Sequence, residues 1–398
     1  MKRRNAIILS VVWLLVMVSI VASTVTLLAS GNLRGTRWVS RNEHDMIERY
    51  ARLEEVRRTL SEGYYKEVDE DALVDGAIRG MMASLGDPYT YYYTTDQMTA
   101  HNERSDGFYQ GVGFIVQSNG DGNIEVSRVY PGGPADVSGV RVGDCIVAVD
   151  GASVSGANSQ TFNFAVDLIK GDPGTEVVLT VLRGAERFDL RVARGEVNVA
   201  NVASAMLPDQ IGYIEIFQFT GDVVNEFTEA LQSLESQGAR ALIVDVRGNP
   251  GGVLDNVVAI ADQLLGEGIV VYTEGRDGGR QDFYSDAEQC DLPLAVLIND
   301  MSASASEILA AAVQDTGRGT IVGTQSYGKG VVQTVLTFAS DGAGMQYTSA
   351  QYFTPAGKNI HGTGVTPDVV VESDYQNYSG EPDVERDIQL QAAIAAVE

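Results

Sequence analysis

"PLAVLINDMSASASEILAAAVQD", residues 293–315, reads as a buried strand, a tight turn and a helix in direct succession. Leu294–Ile298 is an unbroken apolar run of strand length, the pattern of a strand covered on both faces. The same alternation recurs around it. "QIGYIEIFQF" is a strand, "DVVNEFTEALQSLESQG" a helix, "ARALIVDVRG" a buried strand and "GGVLDNVVAIADQLLGEG" a helix; "IVVYTE", "TIVGTQ" and "VVQTVLTFA" add strands. Apolar runs separated by amphipathic helices predict β-α-β crossovers and a parallel sheet over residues 196–372.

The turn of the opening stretch holds Ser302, Ser304 and Ser306. A residue between a buried strand and a helix is held rigidly, and the first N–H groups of that helix can face a developing oxyanion. That is a seat for a nucleophile. Ser304-Ala-Ser-Glu307 is also a capping box, so the same serine can simply close the helix. From this stretch alone both readings stand.

A nucleophile needs a base. The chain has three histidines, His44 and His101 in a polar helical region and His361 in the turn "GKNIHGTG". A lysine serves instead if burial lowers its pKa. "VGTQSYGKGVVQTV" places Lys329 between two glycines, where a surface turn lysine is the ordinary alternative. Gln333 follows four residues on, and its neutral amide can hold a neutral amine without restoring its charge. "VDVRGNPGG", Val244–Gly252, ends a buried strand; its glycines let backbone N–H groups approach a ligand. A phosphate loop is the rival, weakened because the lysine and hydroxyl of that motif are missing.

The 398-residue chain has room for several cores, and its net charge of −26 argues against nucleic acid as a partner. Lys2, Arg3 and Arg4 precede a run without charge from Asn5 to Leu33. That length suits a bilayer-spanning helix with its basic end in the cytoplasm, placing residues beyond about 35 outside. Cleavage at "LLASG" would instead release a secreted protein. Residues 35–106 read as amphipathic helices, with Met46, Ile47, Tyr50, Leu53, Val56 and Leu60 at helical spacing. Residues 107–195 switch to alternating strands and glycine turns around one helix. Cys145 and Cys290 lie far apart and read as buried thiols. With so few cysteines and histidines, no structural zinc site is expected.

Taken in order, "AIRGMMASLGDPYTYYY", "GFYQGVGFIV", "VDVRGNPGG", "SASASEILAAAVQD", "VGTQSYGKGVVQ" and "YFTPAGKNIHGTGVTPDVVV" resemble the C-terminal processing peptidases, or tail-specific proteases, over residues 45–372. The resemblance implies an α/β multidomain protein: membrane anchor 1–34, helical region 35–106, PDZ domain 107–195, a crotonase/Clp-protease-like core 196–372 and a tail 373–398. It implies a serine endopeptidase acting outside the cytoplasmic membrane, with Ser304 as nucleophile, Lys329 as base and Gln333 in support. The oxyanion donors fall on the N–H of Ala305 and of Gly251 or Gly252. In the PDZ domain, N–H groups of Val112, Gly113 and Phe114 would bind the carboxylate of a substrate with an exposed C-terminus. Phe114, Ile115, Phe164, Val166 and Leu168 would form the apolar walls. Where family members often carry Arg-Gly, this chain has Lys170-Gly171. A homodimer is expected, through residues 45–100 or the tail, and neither metal nor organic cofactor is implied. Two other classes fit parts of the pattern: a non-catalytic PDZ scaffold with a dead core, and a crotonase-like enzyme acting on acyl thioesters.

Overall fold

The computed structural model describes residues 2–29, 41–118, 124–130, 132–154, 159–198, 200–373 and 382–398. The chain divides into two compact units, 1–80 and 81–398.

In the first unit the part of the uncharged run from Asn5 to Ala29 lies in the helix Lys2–Ala29. Ser30 and Gly31 of the possible cleavage site fall outside the described residues. Among the described residues, no helix is long and apolar enough to cross a membrane. The next helix, Arg41–Gly63, carries the expected stripe, and every member from Met46 to Leu60 is exposed.

In the second unit, six strands form the central sheet in the order Val202–Leu207, Ile211–Ile216, Ala241–Asp245, Leu294–Ile298, Thr320–Gly323 and Val369–Val370. Only the first pair is antiparallel. Side chains alternate across a strand. Leu242, Val244, Val296 and Ile298 therefore face the helices Val223–Ser236, Leu254–Leu264 and Ala305–Thr316, while Ala241, Ile243, Ala295 and Leu297 face the other side. Both faces are covered, which explains the continuous apolar runs. The cover on the second face is the C-terminal helix Ile388–Val397, through Leu390, Ala393 and Val397. The end of the tail is thus a layer of the core around this sheet, and its apolar face is already occupied.

A second sheet joins Tyr91–Tyr93, Gly344–Phe353, Gly268–Gly275 and Arg280–Ser285, with Val331–Thr337 along Gly344–Phe353. Its strands pair antiparallel. "IVVYTE" and "VVQTVLTFA" therefore belong to this sheet rather than to parallel crossovers. Tyr91–Tyr93 comes from the region read as helical, and pairs Tyr91 with Gln346.

Residues 107–195 form their own sheet and core, closed by the helix Ser159–Ile169. They join the rest through a two-stranded ribbon, Phe108–Gly111 against Gly195–Asn198. Both legs of the ribbon reach one short segment, Phe217–Gly221. On the entry side, a Cβ added to Gly107 would lie 2.6 Å from Gly221 Cα, so only glycines allow this crossing. On the exit side, Asn201 Nδ2 donates to Thr220 O at 3.0 Å.

Candidate active site

The three serines have different surroundings. Ser302 is fully buried; its Oγ donates to Val246 O at 2.8 Å and accepts from Asn299 N–H at 2.9 Å. Ser306 is fully buried and donates to Asn249 O at 3.0 Å. Both fasten the turn to the neighbouring loop. Ser304 alone of the three borders an open cleft of about 410 Å³. Its backbone sits at φ 56°, ψ −112°. A side chain at positive φ outside the left-handed helical region is strained, at a cost of about 1–3 kcal/mol. This geometry takes Ser304 out of the helix path. Ser304 is the N-cap of the helix in a capping box with Glu307, its N–H donating to Oε2 at 2.8 Å.

Glu307 does more than cap. It is fully buried, one turn into the helix. Oε2 accepts from both Ser304 N–H and Lys329 N–H, at 2.8 and 2.9 Å. The two amide nitrogens therefore lie no farther apart than the sum of those distances, 5.7 Å. Oε1 accepts from Ser326 Oγ at 2.5 Å and Gly328 N–H at 2.7 Å. One carboxylate thus holds two loops 25 residues apart in sequence. Tyr352 adds a second clasp, its hydroxyl lying 2.5 Å from Lys329 O and 3.2 Å from Ser304 O.

Lys329 and Gln333 line the same cleft as Ser304. Burial pulls the Lys329 amine below its ordinary range, against the opposing pull of the Glu307 and Asp87 carboxylates. The Tyr89 ring lies against it, with Nζ 5.0 Å from the centroid. Gln333 Nε2 donates to Val331 O at 3.3 Å.

The glycine loop meets the serine turn edge to edge. Ala303 N–H donates to Asn249 O, and a Cβ on Gly251 would lie 2.8 Å from Ser304 Cβ and 3.0 Å from Ala305 N. Gly251 N–H donates to Asn249 Oδ1 at 2.8 Å, which takes it out of use as an anion donor in this arrangement. Gly252 borders the cleft beside Ser304 and Ala305. Arg247 fixes the loop from behind through ion pairs to Asp245 and to Asp387, at the start of the C-terminal helix.

Val112 and Phe114 line a second cavity, of about 650 Å³, with Ile115, Val116, Val166 and Lys170. Gly113 lies between them at φ 89°. Two of the expected wall residues are elsewhere: Phe164 is half exposed, and Leu168 packs on the domain core. Gln218 and Thr220 line both this cavity and the catalytic cleft.

The profile described as peptidase family S41 matches residues 210–371, a PDZ profile 125–183, and the profile of the activating protease CtpB N-terminal domain 24–97. The carboxy-terminal processing protease CtpA of Bacillus subtilis (strain 168) is 34% identical over 377 residues, covering 94% of this chain and 78% of that one. The chain belongs to the C-terminal processing peptidases of family S41. It is a serine-type peptidase with a PDZ domain. A CtpA-like serine protease of Staphylococcus aureus (strain COL) is 35% identical over 326 residues, 81% of this chain and 64% of that one. Among solved structures, the photosystem II D1 C-terminal processing protease is 30% identical with a TM-score of 0.52, over 87% of this chain and 96% of that one.

Several residues around this peptidase's cleft carried no role in the sequence reading. Glu307 was visible only as a helix cap. His101 borders the cleft, its Nδ1 3.1 Å from Tyr93 Oη. Tyr352 and Tyr89 had no signal beyond their place in matched stretches, because what they touch is far away in sequence.

Proposed function

We propose that this peptidase cuts by a Ser304–Lys329 mechanism. Neutral Lys329 Nζ takes the proton of Ser304 Oγ, which attacks the scissile carbonyl carbon. The carbonyl electrons move to oxygen, where the N–H groups of Ala305 and Gly252 receive the charge. The Lys329 ammonium then protonates the leaving amine. Water, deprotonated by the same lysine, releases the acyl group from Ser304. Gln333, with its Nε2 directed to Val331 O, can offer Oε1 to the amine. The observation that supports this most is the single Glu307 oxygen that binds the Ser304 and Lys329 amides together. A fluorophosphonate probe should label Ser304 in the wild-type chain and fail to label Ser304→Ala. Labelling of any other serine at the wild-type rate defeats the assignment.

Substrate choice, in this reading, belongs to the PDZ domain. The cavity at Val112–Phe114 has a mainly apolar lining with both Lys170 and Glu103 on it, so in this reading the backbone N–H groups of Val112, Gly113 and Phe114, rather than side-chain charge, receive a free carboxylate after a small or apolar residue. Each charge-assisted hydrogen bond to that carboxylate is worth about 1.5–3 kcal/mol. An unstructured protein ending in Ala-Ala should therefore be cut more than tenfold faster, at low substrate concentration, than its C-terminal amide; a version ending in Asp-Asp keeps the carboxylate but brings charged side chains to a mainly apolar lining and should also be cut more slowly. Equal rates for all three would make the domain a spacer. The N-terminal segment, residues 1–34, would hold the enzyme at the membrane with its catalytic part outside, and the exposed stripe Met46–Leu60 would pair two chains. A monomeric mass in light scattering at micromolar concentration counts against the dimer.

A further inference from the structure

The segment "LGDPYTYYY", Leu85–Tyr93, precedes the PDZ domain, yet it returns to the catalytic lysine. Tyr91–Tyr93 pairs with Gly344–Phe353, and Gln346 Nε2 donates to Tyr89 O at 3.2 Å. Asp87 Oδ1 accepts Tyr89 N–H at 2.9 Å, while Asp87 Oδ2 accepts from Thr90 Oγ1. These bonds fix the backbone of Tyr89 and leave its ring against Lys329, with Nζ 5.0 Å from the ring centre. That is within the range at which a ring face attracts an ammonium.

We infer that Tyr89 is a positioning residue for the general base: its ring covers the resting amine and stabilises the ammonium that forms when Ser304 gives up its proton. The inference rests on the Ser304–Lys329 reading above. The chemistry sets two opposed demands. At rest the amine must be neutral, so water has to be kept away. In the transition state the same nitrogen gains a positive charge, and water is then not there to solvate it. A carboxylate meets the second demand and defeats the first by holding the proton permanently. An aromatic face excludes water and offers only a weak attraction, which is felt when the charge appears. The other ionisable groups around Lys329 are Glu307, which accepts its backbone N–H, Asp87 and Tyr89 in the returning segment, Tyr327 two residues upstream, Tyr352, whose hydroxyl donates to Lys329 O, His361, whose ring lies 6.4 Å from that of Tyr89, and Tyr91 and His101 on the wall of the same cleft. Of these, Tyr89 is the one with its ring face toward Nζ.

Three substitutions in the full chain separate cover from charge stabilisation. Tyr89→Phe keeps the ring and should keep kcat within about twofold, with an unmoved pH profile. Tyr89→Leu keeps an apolar cover without the ring's charge distribution. It should lower kcat about three- to tenfold, leave KM unchanged, and leave the acid limb where it was or at lower pH. Tyr89→Ala admits water, which solvates the ammonium and raises the lysine pKa. Its acid limb should move to higher pH, with activity partly recovered in alkali. The rate of fluorophosphonate labelling should follow kcat in each case, because the probe needs the base and not the PDZ domain. Equal kcat for the Phe and Leu variants overturns the charge role, even if the Ala variant does not fold. A Tyr89→Ala enzyme with the wild-type pH profile, or one altered only in KM, overturns the inference altogether. Lys329→Ala is the control for the underlying mechanism. If it still cleaves at the wild-type rate, the Ser304–Lys329 reading itself fails; if it is inert while Tyr89 variants behave as wild type, only the role of Tyr89 fails.

Discussion

Ser304→Ala is expected to lower kcat by a factor on the order of 10⁴–10⁶ with KM and folding little changed, while Ser302→Ala and Ser306→Ala keep most of their activity. Loss of a nucleophile removes every interaction that depends on the covalent step, and losses of this size are usual for it. The other two serines act on stability instead. Removing the Ser302 hydroxyl leaves Asn299 N–H without its acceptor, and leaves Val246 O with only the longer bond from Asn249 N–H. An orphaned donor costs about 1–3 kcal/mol, so this variant should melt several degrees lower. Ser306→Ala loses one such bond, to Asn249 O, and should melt between Ser302→Ala and wild type. Steady-state kinetics and thermal melts on the three proteins decide it. Equal loss of activity from all three, each shown to be folded, would mean that the nucleophile is not Ser304.

Local pattern located the turn that holds Ser304, while the choice of Ser304 over Ser302 and Ser306 came from the family resemblance. The buried runs 241–245 and 294–298 each announce a strand covered on both faces, and the turn after the second can only lead to a helix. Local pattern also marked Lys329 and Gln333, since both sit in one short glycine-flanked stretch. It did less well with two neighbouring glycines: "NPGG" does not say which N–H is spent on Asn249. It failed where the deciding contact is distant. Tyr91–Tyr93 follows a helix and precedes another, so three tyrosines read as part of a helical region, although β-propensity favours them in a strand. Their partner strand begins some 250 residues later, at Gly344. The end of the acidic tail, "ERDIQLQAAIAAVE", reads as a short helix, but its place in the core is not legible, because its packing partners Ile243, Ala295 and Leu297 belong to the sheet. Gln218 and Thr220 look like ordinary polar residues after a strand; only the fold makes them the shared wall of two cavities.

Glu307 shows the same lesson most sharply, and its substitution should be the second most damaging. Glu307→Gln replaces two acceptor oxygens by one oxygen and one NH₂ donor. In either orientation the NH₂ faces donors: Ser304 and Lys329 N–H on one side, or Ser326 Oγ and Gly328 N–H on the other. Ser326 has little freedom to turn, since its Oγ also accepts from Val365 N–H at 2.6 Å. At about 1–3 kcal/mol for each buried donor left unpaired, the variant should lose roughly 2–6 kcal/mol of stability. The catalytic loss comes from geometry. The clasp sets the distance between nucleophile and base, and a displacement of about 1 Å at such a place costs on the order of 10²-fold in rate. The pH profile separates this from a mere weakening of the fold. Activity needs the neutral amine, so it rises with pH through the Lys329 pKa. The Glu307 carboxylate pulls that pKa up, against burial. Removing its charge disfavours the ammonium, and the acid limb should move to lower pH even as kcat falls. Glu307→Asp keeps the charge but is shorter by one CH₂; it should lose rate without that acid shift. If Glu307→Gln melts lower yet keeps the wild-type kcat and pH profile at a temperature where it is folded, Glu307 is a helix cap and nothing more. The Ser304 and Lys329 loops would then need another tie to hold them in register.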